Sequence, residues 1–259
     1  MNTQSPDEPV VKIIKPASIP TPSRLGVLGA TFNPVTNAHL ILAERARESF
    51  ALDEVIFVLS LVPPHKEIFG AILEDRLAMM AMATQEAPFL SAGLSTHGLF
   101  LDIHRGLEKL YPKEIKVYFL TGRDAGERVL TWPYDDPPRA LEEMFSRFEL
   151  IVANRDGVFE IPSDPLITQY KEKIHPLTLP GEVGDISSTT VRHLVEEGKE
   201  FSHLTPRSIV RYIKKNEIYR PGYEMRREVF QGLAAFDGWR PPLEGIIDRV
   251  KQILEAEGS

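Results

Sequence analysis

Cysteine is absent from the 259 residues of this chain, and that absence excludes three kinds of chemistry. Without thiols the protein can hold no disulfide framework, no thiolate zinc site and no cysteine nucleophile. No apolar run approaches the roughly 18 residues that a membrane-spanning helix needs. The first residues also lack the basic-then-apolar order of a secretory signal peptide. We therefore expect a cytoplasmic protein with no membrane partner.

The chain also lacks an excess of positive charge. Its 30 Lys and Arg stand against 37 Asp and Glu, which gives a formal net charge of −7. An acidic protein is a poor candidate for gripping nucleic acid through bulk charge, so we expect no nucleic-acid partner. The 42% hydrophobic and 26% charged residues are typical of a globular protein. This composition leaves the oligomeric state open, and a homo-oligomer is compatible with it.

Apolar segments with the pattern of a strand alternate along the middle of the chain with segments that have the periodicity of a helix. The strand-like segments are almost entirely apolar, which indicates a parallel sheet with helices on both faces. The sequence therefore predicts a doubly wound α/β fold that ends in C-terminal helices. Strands are predicted at 25–29, 55–59, 115–120 and 150–153, helices at 37–50, 73–86, 98–110, 187–198 and 206–216, and loops at 135–138 and 162–165.

Composition divides the chain into three parts. Five prolines within residues 1–24 predict a loose or extended N-terminal arm. Residues 25–220 carry the alternating pattern and form the predicted α/β domain. Residues 221–259 predict a helical appendage of two short helices, which are separated at Pro241 and Pro242.

A loop of small residues joins the first predicted strand to the first predicted helix. In a doubly wound sheet this loop lies outside the carboxyl ends of the strands, where ligands bind. Gly29 and Ala30 let backbone N–H groups approach a ligand, and the helix start adds the positive end of its dipole, so the loop favours a phosphate. Thr36 and His39 lie on one side of the helix start and are suited to hold a phosphate oxygen. The alternative is that Thr36 only caps the helix and His39 only packs.

The run Gly29–Leu40 (GATFNPVTNAHL) resembles the GxFxPxHxGH or TxGH element of the nucleotidyltransferase superfamily. More closely, the chain resembles the nicotinate-nucleotide adenylyltransferases of bacterial type. This resemblance implies a Rossmann-like nucleotidyltransferase fold. It also implies an enzyme of NAD biosynthesis that joins ATP to nicotinate mononucleotide, giving deamido-NAD and pyrophosphate.

Three further segments match this family in order. The run 62–66 (VPPHK) is similar to the family's VPPHK, and its prolines stiffen a loop that holds Lys66 at the edge of the sheet. The run 121–124 (TGRD), followed by Trp132, is similar to GAD…TW. The run 186–192 (ISSTTVR) is similar to ISSTxxR and places hydroxyls, free N–H groups and an arginine at a helix start.

The resemblance assigns roles to individual residues. Magnesium is expected to arrive with ATP, bound mainly through phosphates and water, and no side-chain metal site is expected. The predicted catalytic residues are His39, Thr36, Lys66 and Arg192. The predicted ATP-binding residues are Gly29, Ala30, Thr31, Phe32, Ser187, Ser188, Thr189, Gly122 and Asp124. The predicted acceptor-binding residues are Phe100 and Trp132.

The chain departs from the family's pattern at several positions. Ala38 stands where glycine is usual, Arg123 where a small residue is usual, and Asn33 where an aspartate would add negative charge near the triphosphate. In 96–104 only Phe100 and an amphipathic pattern match the family's SYTxDT element, which helps to hold the mononucleotide. Two alternatives follow: a transferase with another acceptor, such as phosphopantetheine or nicotinamide mononucleotide, or a non-catalytic nucleotide-binding regulatory protein.

Overall fold

The computed structural model describes residues 8–19, 21–61, 70–154, 159–223 and 243–258. One sheet flanked by helices makes up this part of the chain. Among the helices in these ranges, none combines the length and the apolar character that crossing a membrane requires.

Seven strands form a single sheet within the described residues. They are β1 (Val11–Lys15), β2 (Arg24–Ala30), β3 (Glu54–Ser60), β4 (Leu90–Ser95), β5 (Lys116–Gly122), β6 (Phe148–Asn154) and β7 (Ile174–Thr178). Their spatial order is β1-β4-β3-β2-β5-β6-β7, and all neighbours are parallel except β1 and β4. This sheet confirms the α/β fold that the alternating pattern predicts.

Helices follow most of the strands and cover both faces of the sheet. They are α1 (Asn37–Phe50), α2 (Leu73–Thr84), α3 (Phe100–Leu107), α4 (Arg123–Leu130), α5 (Pro137–Arg147), α6 (Pro165–Thr168), α7 (Ser188–Glu196), α8 (Arg207–Asn216) and α9 (Leu243–Gly258). The observed α1 has the predicted bounds, and the observed α7 and α8 lie within the predicted helices.

The central strand β3 shows why the strands are so apolar. Successive side chains of a strand point to opposite faces, and all seven residues of β3 are buried. Phe57 and Leu59 pack with residues of α1, α2, α7, α8 and α9. Ile56 and Val58 pack with residues of α3, α4 and α5 on the other face. At this strand, helices therefore cover both faces of the sheet, as the pattern predicts.

Besides β1, two further strands, β4 and β7, were not predicted, because their residue types argue against a strand. The β4 sequence LSAGLS contains small residues and no β-branched one. The β7 sequence contains Pro176, which cannot donate a ladder hydrogen bond. β7 lies at the edge of the sheet, where a missing donor is tolerated. In both strands, pairing with a neighbour overrides a weak local preference.

The prediction of a loop at 135–138 is wrong for its second half. Pro137 and Pro138 open α5, where the missing N–H of proline costs nothing. The Asp136 carboxylate caps the helix by accepting the Arg139 N–H at 3.2 Å. Similarly, Pro165 at the end of the predicted loop 162–165 begins the short helix α6.

Part of the N-terminal arm is an ordered strand. Residues of β1 pair antiparallel with β4 at the edge of the sheet, so of the two predicted states, loose or extended, this stretch is extended. The Lys15 ammonium donates to the carbonyls of Thr84 and Leu90 at 2.8 and 2.7 Å. Burial lowers the pKa of Lys15.

At the other end of the chain, α9 packs against α2. The Arg249 guanidinium bonds the buried Glu74 carboxylate at 2.8 and 2.9 Å. Pro241 and Pro242, where two helices were predicted to separate, lie outside the described residues. The division of the chain at 24 and 220 stays a prediction.

The parallel pairing places several strand ends side by side. β2 ends at Ala30, β3 at Ser60 and β5 at Gly122, and these strands are neighbours. Their carboxyl ends therefore meet at one edge of the sheet, which is where ligands bind in this architecture.

Candidate active site

The loop after β2 brings Thr36 and His39 into contact. The Thr36 N–H donates to His39 Nδ1 at 3.0 Å, and Thr36 Oγ1 lies 2.9 Å from the same nitrogen. Thr36 is the N-cap residue of α1 and is fully buried. Thr36 therefore lies behind the imidazole and orients it, rather than facing solvent beside it.

This contact decides which nitrogen of His39 carries the proton. A backbone N–H can only donate, so Nδ1 accepts and the neutral ring carries its proton on Nε2. The ring of Phe32 lies 5.2 Å from the His39 ring and stacks on Phe57. The imidazole thus has a fixed orientation and a buried aromatic support.

The second predicted motif joins the same loop through the start of α7. Ser187 is the N-cap residue, and its Oγ accepts the Thr190 N–H at 3.0 Å. The Ser188 hydroxyl donates to the Pro34 carbonyl at 2.8 Å. One serine therefore caps the helix, and the next one attaches the helix to the first loop.

Arg192, one turn further along α7, makes the second attachment. Its Nη1 donates to the Asn33 carbonyl oxygen at 2.7 Å, and its Nη2 donates to Thr189 Oγ1 at 3.1 Å. The guanidinium is thus held by the loop that carries His39. The two motifs, which are separated by about 150 positions, lie at one edge of the sheet.

The side chain of Asn33 points into the protein. Its Oδ1 accepts the Ala71 N–H at 3.0 Å and the Tyr219 hydroxyl at 2.9 Å. Only 6% of Asn33 is exposed. The carboxamide therefore faces interior donors, and the expectation that an asparagine here removes a negative charge near the triphosphate stays a prediction.

The start of the loop is supported by a buried arginine. Gly29 and Ala30 end β2, and the Thr31 carbonyl accepts the Arg76 guanidinium at 3.2 Å. Arg76 is 1% exposed. Lys66, the predicted cation of the second loop, lies outside the described residues.

The end of β5 presents a carboxylate. Gly122 is the N-cap residue of α4, and Asp124 is exposed in the first turn of that helix. Arg123 forms an exposed ion pair with Glu127 at 2.8 Å. Asp124 is therefore not the helix cap, and its carboxylate faces solvent at the edge where β2 also ends.

Of the two predicted acceptor residues, Phe100 lies beside the first loop. Phe100 begins α3, and its ring stacks on Phe119 at 4.5 Å. A Cβ at Gly29 would lie 3.6 Å from the Phe100 ring, so this ring borders the loop. Trp132 follows α4, whose eight residues span about 12 Å.

Arg76 and Tyr219 contact the loop although no sequence motif singled them out. Both act through contacts distant in sequence, 45 and 186 positions apart. The run 206–219 (PRSIVRYIKKNEIY) resembles the family's closing helix, which by itself indicates a structural role and no contact of Tyr219 with the loop. Within the described residues, no group of three or more His, Cys, Asp and Glu side chains is arranged to hold a metal ion.

Comparison with known proteins identifies the family. The family model described as Cytidylyltransferase-like matches residues 27–194. A probable nicotinate-nucleotide adenylyltransferase of Moorella thermoacetica is 32% identical over 77% of this chain and 93% of its own length. Another protein of that name, from Syntrophotalea carbinolica, is 35% identical over 76% of this chain and 97% of its own length. The chain belongs to the nicotinate-nucleotide adenylyltransferase family.

Solved structures agree with this assignment at the level of the fold. A Plasmodium falciparum nicotinic acid mononucleotide adenylyltransferase complexed with NaAD has a TM-score of 0.58 and 18% identity, over 76% of this chain and 97% of that chain. The same protein complexed with APC has a TM-score of 0.55. The prediction that this protein is an enzyme of the nucleotidyltransferase class is confirmed by the family that it belongs to.

The N-terminal strand and the C-terminal helix stand apart from this common region. Both β1 and α9 lie outside the residues that the family model matches. Each packs against an element inside the matched range: β1 pairs with β4, and α9 contacts α2.

Proposed function

We propose that this nucleotidyltransferase moves the adenylyl group of ATP to nicotinate mononucleotide, forming deamido-NAD and pyrophosphate. A relative named for this activity is 35% identical to the chain over 222 aligned residues. The observation that carries the proposal is the attachment of α7 to the first loop by Ser188 and Arg192. This attachment lets one nucleotide contact the imidazole of His39, the guanidinium of Arg192 and the first turns of α1 and α7.

The reaction needs no covalent enzyme intermediate. A phosphate oxygen of the mononucleotide attacks the α-phosphorus of ATP in line. The bond from that phosphorus to the oxygen bridging to the β-phosphate breaks, and pyrophosphate leaves with the electron pair. Such chemistry depends on positioning and charge compensation. Well-aligned reactants can gain roughly 7–11 kcal/mol from proximity alone.

His39 acts on the α-phosphate. Because Nδ1 accepts the Thr36 N–H, the Nε2–H donates to an α-phosphate oxygen as charge builds up on it. Thr36 contributes by fixing the ring, and the start of α1 adds the positive end of its dipole.

Arg192 compensates the leaving group. Two of the five N–H donors of a guanidinium bond Asn33 and Thr189, and the others serve the β- and γ-phosphates. The N–H groups at the start of α7, beside Ser187 and Ser188, bind the same end of the triphosphate. Lys66 is proposed to act beside them on the bridging phosphate.

Magnesium fits this site as a companion of the triphosphate. We propose that the ion would enter with ATP and would be held mainly by the nucleotide and water rather than by protein side chains. When bound, it neutralises part of the charge of ATP. The protein supplies the positive groups that surround this complex.

The acceptor side is assigned to the edge between β2 and β5. The rings of Phe100 and Trp132 flank the pyridine of the acceptor. The exposed Asp124 carboxylate at the same edge belongs to the ATP side, where it accepts hydrogen bonds from a ribose hydroxyl. Phe100 already borders the first loop, so an acceptor held there lies next to the α-phosphate.

An acceptor screen tests this proposal. Pyrophosphate release is measured with ATP, Mg²⁺ and, in separate reactions, nicotinate mononucleotide, nicotinamide mononucleotide or phosphopantetheine, with a reaction that lacks any acceptor as the control. We expect the highest kcat/KM with nicotinate mononucleotide. A higher kcat/KM with another acceptor, or release from none of them, would contradict the proposal.

A further inference from the structure

Three parts of the chain meet at Asn33. Its Oδ1 accepts the Ala71 N–H from the segment before α2 and the Tyr219 hydroxyl from the segment after α8. Its backbone carbonyl accepts the Arg192 guanidinium from α7. The position of this one residue therefore decides where the guanidinium is anchored.

Tyr219 reaches Asn33 through an uncommon backbone conformation. Helix α8 ends at Asn216, and Glu217 and Tyr219 then adopt φ values of +53° and +67°. The left-handed region costs a non-glycine residue on the order of 1–3 kcal/mol and persists only where the surroundings enforce it. Here it turns the tyrosine ring inward, where the residue is only 8% exposed.

The space around the Asn33 carboxamide is closed by Gly70. This glycine has a φ of +91°, and a Cβ on it would lie 2.8 Å from Asn33 Nδ2 and 3.0 Å from Tyr219 Cε1. No side chain fits there without displacing one of the two groups. Close packing at Gly70 therefore restricts the movement of both the carboxamide and the tyrosine ring.

We propose that Tyr219 is a positioning residue for adenylyl transfer: its hydroxyl, acting through Asn33, holds the turn to which Arg192 and the start of α7 are attached. This inference rests on the proposed function and adds to it a residue outside the phosphate-binding motifs. Burial raises the pKa of Tyr219, so the hydroxyl stays a donor at physiological pH.

A matched pair of variants tests the inference. Tyr219→Phe removes the hydroxyl that reaches Asn33. Tyr212→Phe removes the hydroxyl of another buried tyrosine, which donates to Asp75 of α2 at 2.7 Å instead of to the first loop. Each change deletes one oxygen and one hydrogen bond, and because the Tyr212 hydroxyl bonds a carboxylate, Tyr212→Phe should lose at least as much thermal stability as Tyr219→Phe.

The kinetic outcomes should differ. For Tyr219→Phe we expect kcat/KM for ATP to fall about tenfold, because small displacements of positioned groups reduce turnover steeply. Its KM for the mononucleotide should stay within about twofold of the wild-type value. For Tyr212→Phe, both kcat/KM for ATP and KM for the mononucleotide should stay within about twofold of the wild-type values. If the two variants have equal kinetics at equal loss of melting temperature, Tyr219 is only structural and the inference is overturned.

A second pair shows whether Tyr219 acts through Asn33. Asn33→Asp keeps an acceptor oxygen, so Tyr219→Phe should still reduce kcat/KM about tenfold in that background. Asn33→Leu removes the acceptor, and there Tyr219→Phe should add less than about a twofold change. Full additivity in the Asn33→Leu background would overturn the inference. If Asn33→Leu does not fold, the Asn33→Asp background decides alone. If Tyr219→Phe causes no further loss of kcat/KM in that background, the inference is overturned as well.

Binding of ATP separates this inference from the proposed function. Calorimetry with ATP and Mg²⁺ should give a dissociation constant several-fold higher for Tyr219→Phe than for Tyr212→Phe. If the wild-type protein releases no pyrophosphate with any acceptor, the proposed function fails, and this comparison still tests the role of Tyr219. Equal ATP affinity in the two variants would contradict the positioning role, whichever acceptor is used.

Discussion

At the scale of single residues, one backbone N–H determines what His39 can do. Because the Thr36 N–H faces Nδ1, the neutral ring carries its proton on Nε2, the nitrogen proposed to act on the α-phosphate. The spacing of Thr36 and His39 predicts that they lie on one side of the helix start. It cannot reveal that the threonine is fully buried behind the ring.

We predict that His39→Ala lowers kcat about 10²–10³-fold, the usual cost of removing one preorganised donor from a transition state. ATP affinity should fall much less, because the helix starts and Arg192 still hold the triphosphate. Stopped assays of pyrophosphate release measure kcat, and calorimetry with ATP measures the affinity. His193→Ala, an exposed histidine on α7, is the matched control and should behave like the wild type. Retained turnover in His39→Ala would remove this residue from the chemistry.

At the scale of elements, local pattern and pairing decide different strands. β2, β3, β5 and β6 are rich in large apolar residues, so the sequence predicts them. β1 carries an apolar pattern too short to be distinguished from an extended arm, and it becomes a strand only because β4 offers a free edge. Gly106 of α3 makes room for it: a Cβ there would lie 2.7 Å from Val11 Cγ2 and 3.0 Å from Val11 N.

We predict that Gly106→Ala destabilises the protein by about 1–2 kcal/mol, since overpacking against β1 exceeds the gain in helix propensity. Denaturant unfolding measures the loss, and hydrogen exchange of the Val11–Lys15 amides should become faster. Gly181→Ala is the control, because a Cβ there meets nothing within 4 Å. Equal stability and unchanged exchange in Gly106→Ala would show that β1 does not depend on this close approach.

At the scale of the whole molecule, the two chain ends converge on α2. Lys12 of β1 lies 3.6 Å from Glu244 of α9, and Arg249 of α9 bonds Glu74 of α2. The first pair is exposed and contributes little. The second involves a carboxylate that is only 4% exposed, and it joins an element outside the family's common region to the domain.

We predict that Arg249→Met lowers the free energy of unfolding by about 1–3 kcal/mol. Removing one partner of a buried pair costs about 3–5 kcal/mol, and the exposure of Arg249 reduces this. Lys215→Met, which breaks an ion pair between α8 and α9, is the control and should cost less than about 1 kcal/mol. Adding Glu74→Gln to Arg249→Met should restore part of the loss. A loss no greater than that of Lys215→Met would show that the pair does not stabilise the fold.

The sequence by itself determined the α/β class, the alternation of strands and helices, and the two motifs that begin α1 and α7. These follow from local periodicity, from helix-start residue types and from short spacings, all of which act within a few positions. Only the tertiary structure decided that Thr36 orients His39 from behind, that the Asn33 carboxamide turns inward, and that Tyr219 holds it from 186 positions away. The physical reason is that a buried donor takes whichever acceptor the packing of distant elements brings within 3 Å, and no local pattern encodes that partner.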